Sequence, residues 1–339
     1  MSTIREVAKQ ANVSIATVSR VLNNDTKYKM TEETKKQVLD AVIQLNYIPS
    51  NIQRKKTHKA NTEISLSIKI GCILRTTKKG YNDPYYMSIL AGVEKKLREF
   101  GIGLAFIKSA PILQDKNYLS STFRDSLDGL ILMDPLNDDI YHYIKKRVPH
   151  IIGIDTLRED IDDVGYDHLK NGILATQYLI DKGHKEIGFI GGSGEFGDIK
   201  DSQRYQGYII AMHKANLPMH EEWIIDCAWN EDECACKIDE LCMSGHYPTA
   251  FFAASDLMAM AAMKSFYTHD VAVPKRVAVI GMSDIEMSQY SNPPLTTYHV
   301  PKEEIGKIAA NLLMDRIKGL ESLPQKIILP TTFIERNST

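Results

Sequence analysis

Apolar positions in the first 45 residues fall at helical spacing. From residue 69 onward they fall in short runs that alternate with helical stretches. Ile4, Val7, Ala8 and Ala11 stand at i, i+3, i+4 and i+7, which predicts a first helix with one apolar face. Asn12 tolerates the left-handed backbone of a tight turn, and Ser14 is suited to cap a second helix. In that second helix Val18, Val21 and Leu22 point inward, while Ile15, Ala16, Ser19 and Arg20 point outward. A third helix follows, with Thr31 as its cap and Glu32 and Glu33 at the positive end of its dipole. Val38, Val42 and Leu45 form its buried face. Two short helices joined by a tight turn are helix-turn-helix geometry, in which the second helix is free to enter a DNA major groove. An ordinary helical hairpin shares the local pattern.

The remaining pattern is that of a parallel α/β body. Strands are predicted at 70–74, 104–107, 129–133, 151–154, 187–190, 223–225, 250–253 and 277–280. Helices are predicted between them, among others at 87–100, 169–182, 202–215 and 302–318. Strand-helix alternation over this length implies two doubly wound lobes with both sheet faces covered. Ligands in such sheets bind beyond the carboxyl ends of the strands. Residues 50–68 differ from both flanks, being basic and polar and then linker-like.

Charge sharpens the division. Residues 1–62 hold 11 lysines and arginines against 5 acids, a balance of +6; the whole chain is −2, so the remainder carries −8. A basic head on an acidic body fits a head that touches phosphates and a body that does not. No apolar run long enough to span a membrane is present, and no signal peptide is expected. The 5 cysteines are an odd number and unevenly placed, which suggests reduced thiols in a cytoplasm. Cys234, Cys236, Cys242 and His246 lack the paired spacing of a zinc site. On the helix expected at 231–245, Cys234 and Cys236 point to opposite sides, so no metal is expected.

Val13-Ser14-Ile15-Ala16-Thr17-Val18-Ser19-Arg20-Val21-Leu22-Asn23 closely resembles the headpiece of the lactose/galactose repressor family. Leu45-Asn46-Tyr47-Ile48-Pro49 closes the segment as that family does, and residues 69–339 resemble the type I periplasmic-binding-protein fold. The resemblance implies a helix-turn-helix headpiece at 1–49, a hinge at 50–68 and an effector-binding, dimerising body at 69–339. The first lobe is expected at about 69–162 and 290–323, the second at about 163–289 and 324–339. It further implies a homodimer on pseudo-palindromic operator DNA. Thr3, Ser14, Ile15, Ala16, Thr17, Ser19, Arg20 and Asn23 are then the candidate DNA contacts. Arg20 suits either a guanine edge or a phosphate. The family's hinge pushes an apolar side chain into the minor groove. Here the corresponding position holds Lys56, and Arg54, Lys55 and Lys56 are candidate phosphate or minor-groove contacts.

For the effector, the resemblance points to Tyr85, Tyr86, Asp155, Asp167, Arg204, Trp229, Ser255, Asp256, Ser283 and Asp284. Ser255 and Ser283 equally suit helix capping. Many sugar-responsive members carry Asn-Asp and Asp-Asp where this chain has Ser255-Asp256 and Ser283-Asp284. Asp83-Pro84-Tyr85-Tyr86, Gly188-Phe189-Ile190-Gly191-Gly192 and Ala254-Ser255-Asp256 resemble the branch of galactose-operon and evolved β-galactosidase repressors. The implied activity is a repressor of a carbohydrate operon, released by galactose or a β-galactoside. Corepression by a non-sugar ligand, as in purine-responsive members, is the alternative within the family. A sugar transporter's solute-binding protein is the alternative outside it. Gly192-Ser193-Gly194-Glu195-Phe196-Gly197 fits a dinucleotide fingerprint. Glu195 and Asp198 would oppose the phosphates there, and the helix begins too late. No cofactor and no enzymatic constellation are expected. No leucine-rich tail of the kind that ties dimers into tetramers follows Pro330, so a dimer is expected.

Overall fold

In the computed structural model, which describes residues 3–22, 30–45, 68–75, 83–192, 197–320 and 323–339, a capping box starts the first helix. The Glu6 amide donates to Thr3 Oγ1 and the Thr3 amide to Glu6 Oε2 at 2.7 Å, opening α1 (Ile4–Gln10). Asn12 takes φ 50° in the turn. The Thr17 amide then donates to Ser14 Oγ at 3.1 Å, which opens α2 (Ile15–Leu22). Thr31 does the same for α3 (Glu32–Gln44), accepting from the Thr34 amide at 3.2 Å. Val7, Ala8, Ala11, Val18, Val38 and Ala41 form the core of this unit, with Ile4, Val13, Val21, Val42 and Leu45 packed on it. Residues 1–67 and 68–339 form two separate units.

The second unit alternates strand and helix. It runs β1 (Ile70–Leu74), α4 (Pro84–Glu99), β2 (Leu104–Ser109), α5 (Lys116–Thr122), β3 (Gly129–Leu132), α6 (Asp138–Lys145), β4 (His150–Ile154) and β5 (Asp162–Tyr166). It continues with α7 (His168–Asp181), β6 (Ile187–Gly191), α8 (Gln203–Lys214), β7 (Ile224–Asp226), α9 (Glu231–Ser244), β8 (Ala250–Ala253), α10 (Asp256–Thr268) and β9 (Ala278–Ile280). Then come β10 (Thr297–His299), α11 (Lys302–Ile317), β11 (Lys326–Leu329) and β12 (Thr332–Ile334). One sheet runs β11-β5-β4-β3-β1-β2, all parallel; a second runs β7-β6-β8-β9, also parallel; β10 and β12 pair antiparallel. This is the doubly wound, two-lobed body that the sequence pattern implies. Each strand expected from an apolar run forms, with ends within two residues of expectation.

The lobe boundaries differ from those expected. Asp162–Tyr166 pairs with β4 and with β11, so both β5 and β11 belong to the first sheet. Residues 290–299 stay with the second lobe, because β10 pairs with β12 and Ser283 bridges to His299. The chain therefore crosses between lobes after Tyr166, after His299 and after Leu329, rather than near 162, 290 and 323. The acids at the start of β5 explain why the strand was not legible. Arg316 clamps Asp162 at 2.6 and 2.8 Å, and the Gln325 amide adds a bond at 2.7 Å. Asp163 accepts from the Thr156 amide and hydroxyl and from the Leu157 amide. Fully bonded carboxylates can enter a sheet that a bare hydropathy pattern would close to them.

Two helix pairs set the positions of the cleft residues. Where α7 meets α8, a Cβ on Gly172 would lie 2.4 Å from the Arg204 carbonyl oxygen, and one on Gly207 would lie 2.4 Å from the Leu169 carbonyl oxygen. Gly92 and Gly306 make the same reciprocal approach between α4 and α11. Only residues without a side chain let backbones come this close.

Candidate functional site

The carboxyl ends of the two parallel sheets face each other across a cleft of about 580 Å³, a volume within the ~300–1,000 Å³ typical of small-molecule pockets. Arg75 follows β1, Asp134 follows β3, Asp155 follows β4 and Tyr166 ends β5. Across from them Trp229 follows β7, Ser255 follows β8 and Ser283 follows β9. The N-terminus of α4 brings Asp83, Tyr85 and Tyr86, and that of α8 brings Gln203, Arg204 and Gln206.

One connected network forms the cleft's polar centre. The Tyr85 hydroxyl donates to Asp155 Oδ2 at 2.8 Å, and His168 Nε2 lies 2.9 Å from Asp155 Oδ1. The His168 ring stacks on Tyr166, with centroids 4.1 Å apart. Arg204 donates from Nε and Nη2 to the Tyr166 hydroxyl, at 2.9 and 2.5 Å. Its guanidinium lies 5.5 Å from the Tyr166 ring centroid and 5.6 Å from that of Trp229. Glycines make room for this arrangement. A Cβ at Gly165 would come 2.0 Å from Asp155 Oδ1, and one at Gly192 would meet the Trp229 ring at 2.5 Å. Asp155, Trp229 and Ser283 hold positive φ values of 52°, 56° and 113°, conformations disfavoured for residues with a Cβ that concentrate at functional sites.

The charges follow from burial and pairing. Burial pushes the Asp155 carboxyl up, but His168, the Tyr85 hydroxyl and Arg204 outweigh it and hold it below its ordinary range. Burial, then the Arg204 charge, lowers the His168 imidazole. The pair is therefore a carboxylate and a neutral imidazole, with Nε2–H as donor. Burial raises both the Tyr85 and Tyr166 hydroxyls, so they remain protonated donors. The site offers a carboxylate acceptor, a guanidinium donor and aromatic faces within one enclosure. That is a binding arrangement for a small polar molecule.

Among the residues expected to meet an effector, Tyr85, Tyr86, Asp155, Arg204, Trp229, Ser255 and Ser283 line the cleft. Ser255 also caps α10, accepting from the Met258 amide at 3.3 Å. The three remaining acids are placed elsewhere. Asp167 caps α7 through the Lys170 amide at 2.8 Å. Asp256 is wholly buried behind the cleft, accepting from the Thr297 hydroxyl at 2.6 Å and the Ile285 amide at 2.8 Å. Asp284 is held by Arg336 at 2.7 Å and His299 at 3.0 Å. The sequence reading missed Tyr166 and His168. It selected Asp167 from the same crossing, whereas the residues on either side turn into the cleft. Arg75, Asp83 and Asp134 were missed as well. The signal for Arg75 and Asp134 is position, since they stand one and two residues after the buried strands β1 and β3.

In the first unit, Ile15 is 45% exposed on α2 while Val18 is fully buried. Ser14 and Ala16 are exposed, and Thr17, Ser19 and Arg20 are half-buried. Thr3 and Ser14 serve as the caps of α1 and α2. The outward face of α2 thus joins the exposed apolar Ile15 and Ala16 to the polar Thr17, Ser19 and Arg20. Asn23, Arg54, Lys55 and Lys56 lie outside the described residues, as does most of the expected hinge and residues 193–196 of the glycine-rich segment. The helix after that segment, α8, begins only at Gln203.

A helix-turn-helix unit in one chain with a two-lobed α/β body that carries a cleft defines a DNA-binding regulator. Residues 3–50 match the family model for bacterial regulatory proteins of the lacI family, and residues 176–339 match the periplasmic binding protein-like domain. The HTH-type transcriptional repressor PurR of Actinobacillus pleuropneumoniae serotype 5b is 34% identical over 323 residues, 94% of this chain and 92% of the relative. PurR of Yersinia pestis strain Pestoides F is 32% identical over 346 residues, 100% of this chain and 97% of the relative. A transcriptional regulator CelR-cellobiose complex superposes with a TM-score of 0.72 at 27% identity, covering 100% of both chains. The lac repressor dimer bound to operator and the anti-inducer ONPF shares the fold, with a TM-score of 0.69 at 21% identity over 99% of this chain and 98% of that one. The chain belongs to the lacI family of bacterial regulatory proteins. It is a transcriptional repressor that binds operator DNA through its headpiece, and not an enzyme.

Proposed function

We propose that the chain acts as a cytoplasmic homodimer whose hold on a pseudo-palindromic operator is released by a small sugar in the cleft, with galactose or a β-galactoside as first candidates. The observation that carries this reading is the network of Asp155, His168, Tyr166, Arg204 and Trp229. A carboxylate accepts from sugar hydroxyls and a guanidinium donates to them. The indole face suits the C–H face of a pyranose. The regulator solved as a cellobiose complex, 27% identical, supports a sugar as ligand. Closure of the lobes on the ligand would change the separation of the two hinges. Ligand and operator affinities are then reciprocally linked.

The relatives named PurR favour a second reading, a non-sugar corepressor in the same cleft. Calorimetric titration of the purified chain with galactose, lactose and allolactose tests the sugar reading. The expected result is saturable binding of one of them, weakened on Arg204→Ala. Heat from none of them, together with a ligand that tightens operator binding, selects the second reading.

A further inference from the structure

At the opposite end of the second lobe, the amino ends of β7 and β8 bring three coordinating side chains together. His220 is the N-cap of the short 3-10 helix Glu221–Trp223 that leads into β7, and Glu222 lies within it. His246 follows Gly245, which ends α9 at φ 70°. Glu222 Oε1 lies 3.4 Å from His220 Nδ1 and 3.6 Å from His246 Nε2. The three donor atoms all lie within 4.8 Å of one another, and no other such group of three occurs among the described residues. Both imidazoles rest on one buried side chain, Trp223, with ring centroids at 4.1 Å for His220 and 5.4 Å for His246. The indole N–H also donates to the His246 carbonyl oxygen at 3.3 Å, which fixes the loop that carries the second imidazole.

We propose that His220, Glu222 and His246 bind a divalent transition-metal ion, zinc in the first instance, which ties the loop before β7 to the loop before β8. Zinc held at about 2.0–2.2 Å in a tetrahedron places its donor atoms roughly 3.3–3.5 Å apart. Two of the three separations already lie close to that spacing. The third closes by rotation of the exposed His246 side chain, which is 67% accessible. Two imidazoles and one carboxylate are a donor set that selects zinc or its transition-metal neighbours over magnesium or calcium. Water completes the fourth position. The site is separate from the cleft: none of the three residues lines it.

Zinc is titrated calorimetrically into the full chain, and into His246→Ala and Glu222→Gln. The expected result is 1:1 binding that weakens at least tenfold in each variant. Zinc should also raise the thermal midpoint of the wild type and leave that of His246→Ala unmoved. Equal midpoints for the three metal-free proteins show that the exposed substitutions leave the fold intact. No saturable uptake, or uptake as strong in both variants as in the wild type, overturns the proposal.

Discussion

Arg204 is the residue on which the cleft's polarity turns. It holds Tyr166 and faces Trp229, while Tyr166 stacks on the histidine that orients Asp155. Arg204→Ala is expected to weaken the effector by about 10- to 150-fold, the equivalent of roughly 1.5–3 kcal/mol for a hydrogen bond to a charged group. Operator affinity without effector should stay within about threefold. Asp256 tests the opposite assignment. Burial raises its carboxyl to about 6, against about 3.9 in an unfolded chain. Between those values the folded chain binds the extra proton. The stability this group contributes is therefore complete below about pH 4 and is lost as pH rises through 6. Denaturant titrations should show the wild type ahead of Asp256→Asn by about 1–3 kcal/mol at pH 5 and by less at pH 7.5, with effector affinity unchanged. An advantage that grew with pH would contradict the assignment. The family resemblance pointed to Arg204 and Trp229, and both line the cleft. The resemblance did not separate Asp155 from Asp256 or Asp284, because all three follow buried strands. Only the fold shows that Thr297 and Ile285 occupy Asp256, and that Arg336 and His299 occupy Asp284.

At the scale of elements, the α7–α8 crossing holds Arg204 in place. Gly207→Ala puts a methyl group against the Leu169 carbonyl, and overpacking of this kind costs about 1–3 kcal/mol. Arg204 sits three residues earlier on the same helix, so effector affinity should fall with stability, as urea denaturation and ligand titration would show together. A variant that loses stability yet binds effector normally would show that the crossing does not position the arginine. In the headpiece, Ser14→Ala removes the cap of α2 and should cost about 1 kcal/mol, read as lower operator affinity and earlier melting. Strands built on apolar runs, such as Ala250–Ala253, were legible because burial on both faces leaves continuous hydrophobicity. β5 and β11 were not. β5 begins with two carboxylates, and β11 is half exposed, with Ile328 59% accessible. Their place in the first sheet is set by tertiary partners: Arg316 on α11, far along the chain, and Thr156 in the turn after β4.

For the whole molecule, the charge division agrees with the division of structure. The basic segment holds the three-helix unit, and the acidic remainder folds as the two-lobed body. Operator affinity should therefore fall steeply with salt, since each neutralised phosphate releases counterions, whereas binding of an uncharged sugar should barely change. Fold class and headpiece were readable because they rest on local spacing. The lobe crossings depend on which strands pair, and that information is non-local. We propose that the Arg204 cluster is the effector site that governs DNA binding. Its most direct test is fluorescence anisotropy on DNA from upstream of the chain's own gene, at fixed salt, for wild type and Arg204→Ala, with and without galactose, lactose and allolactose. Both proteins should bind tightly, and one of these sugars should release the wild type while Arg204→Ala stays bound at the same concentration. Release of Arg204→Ala at the wild-type sugar concentration would contradict it.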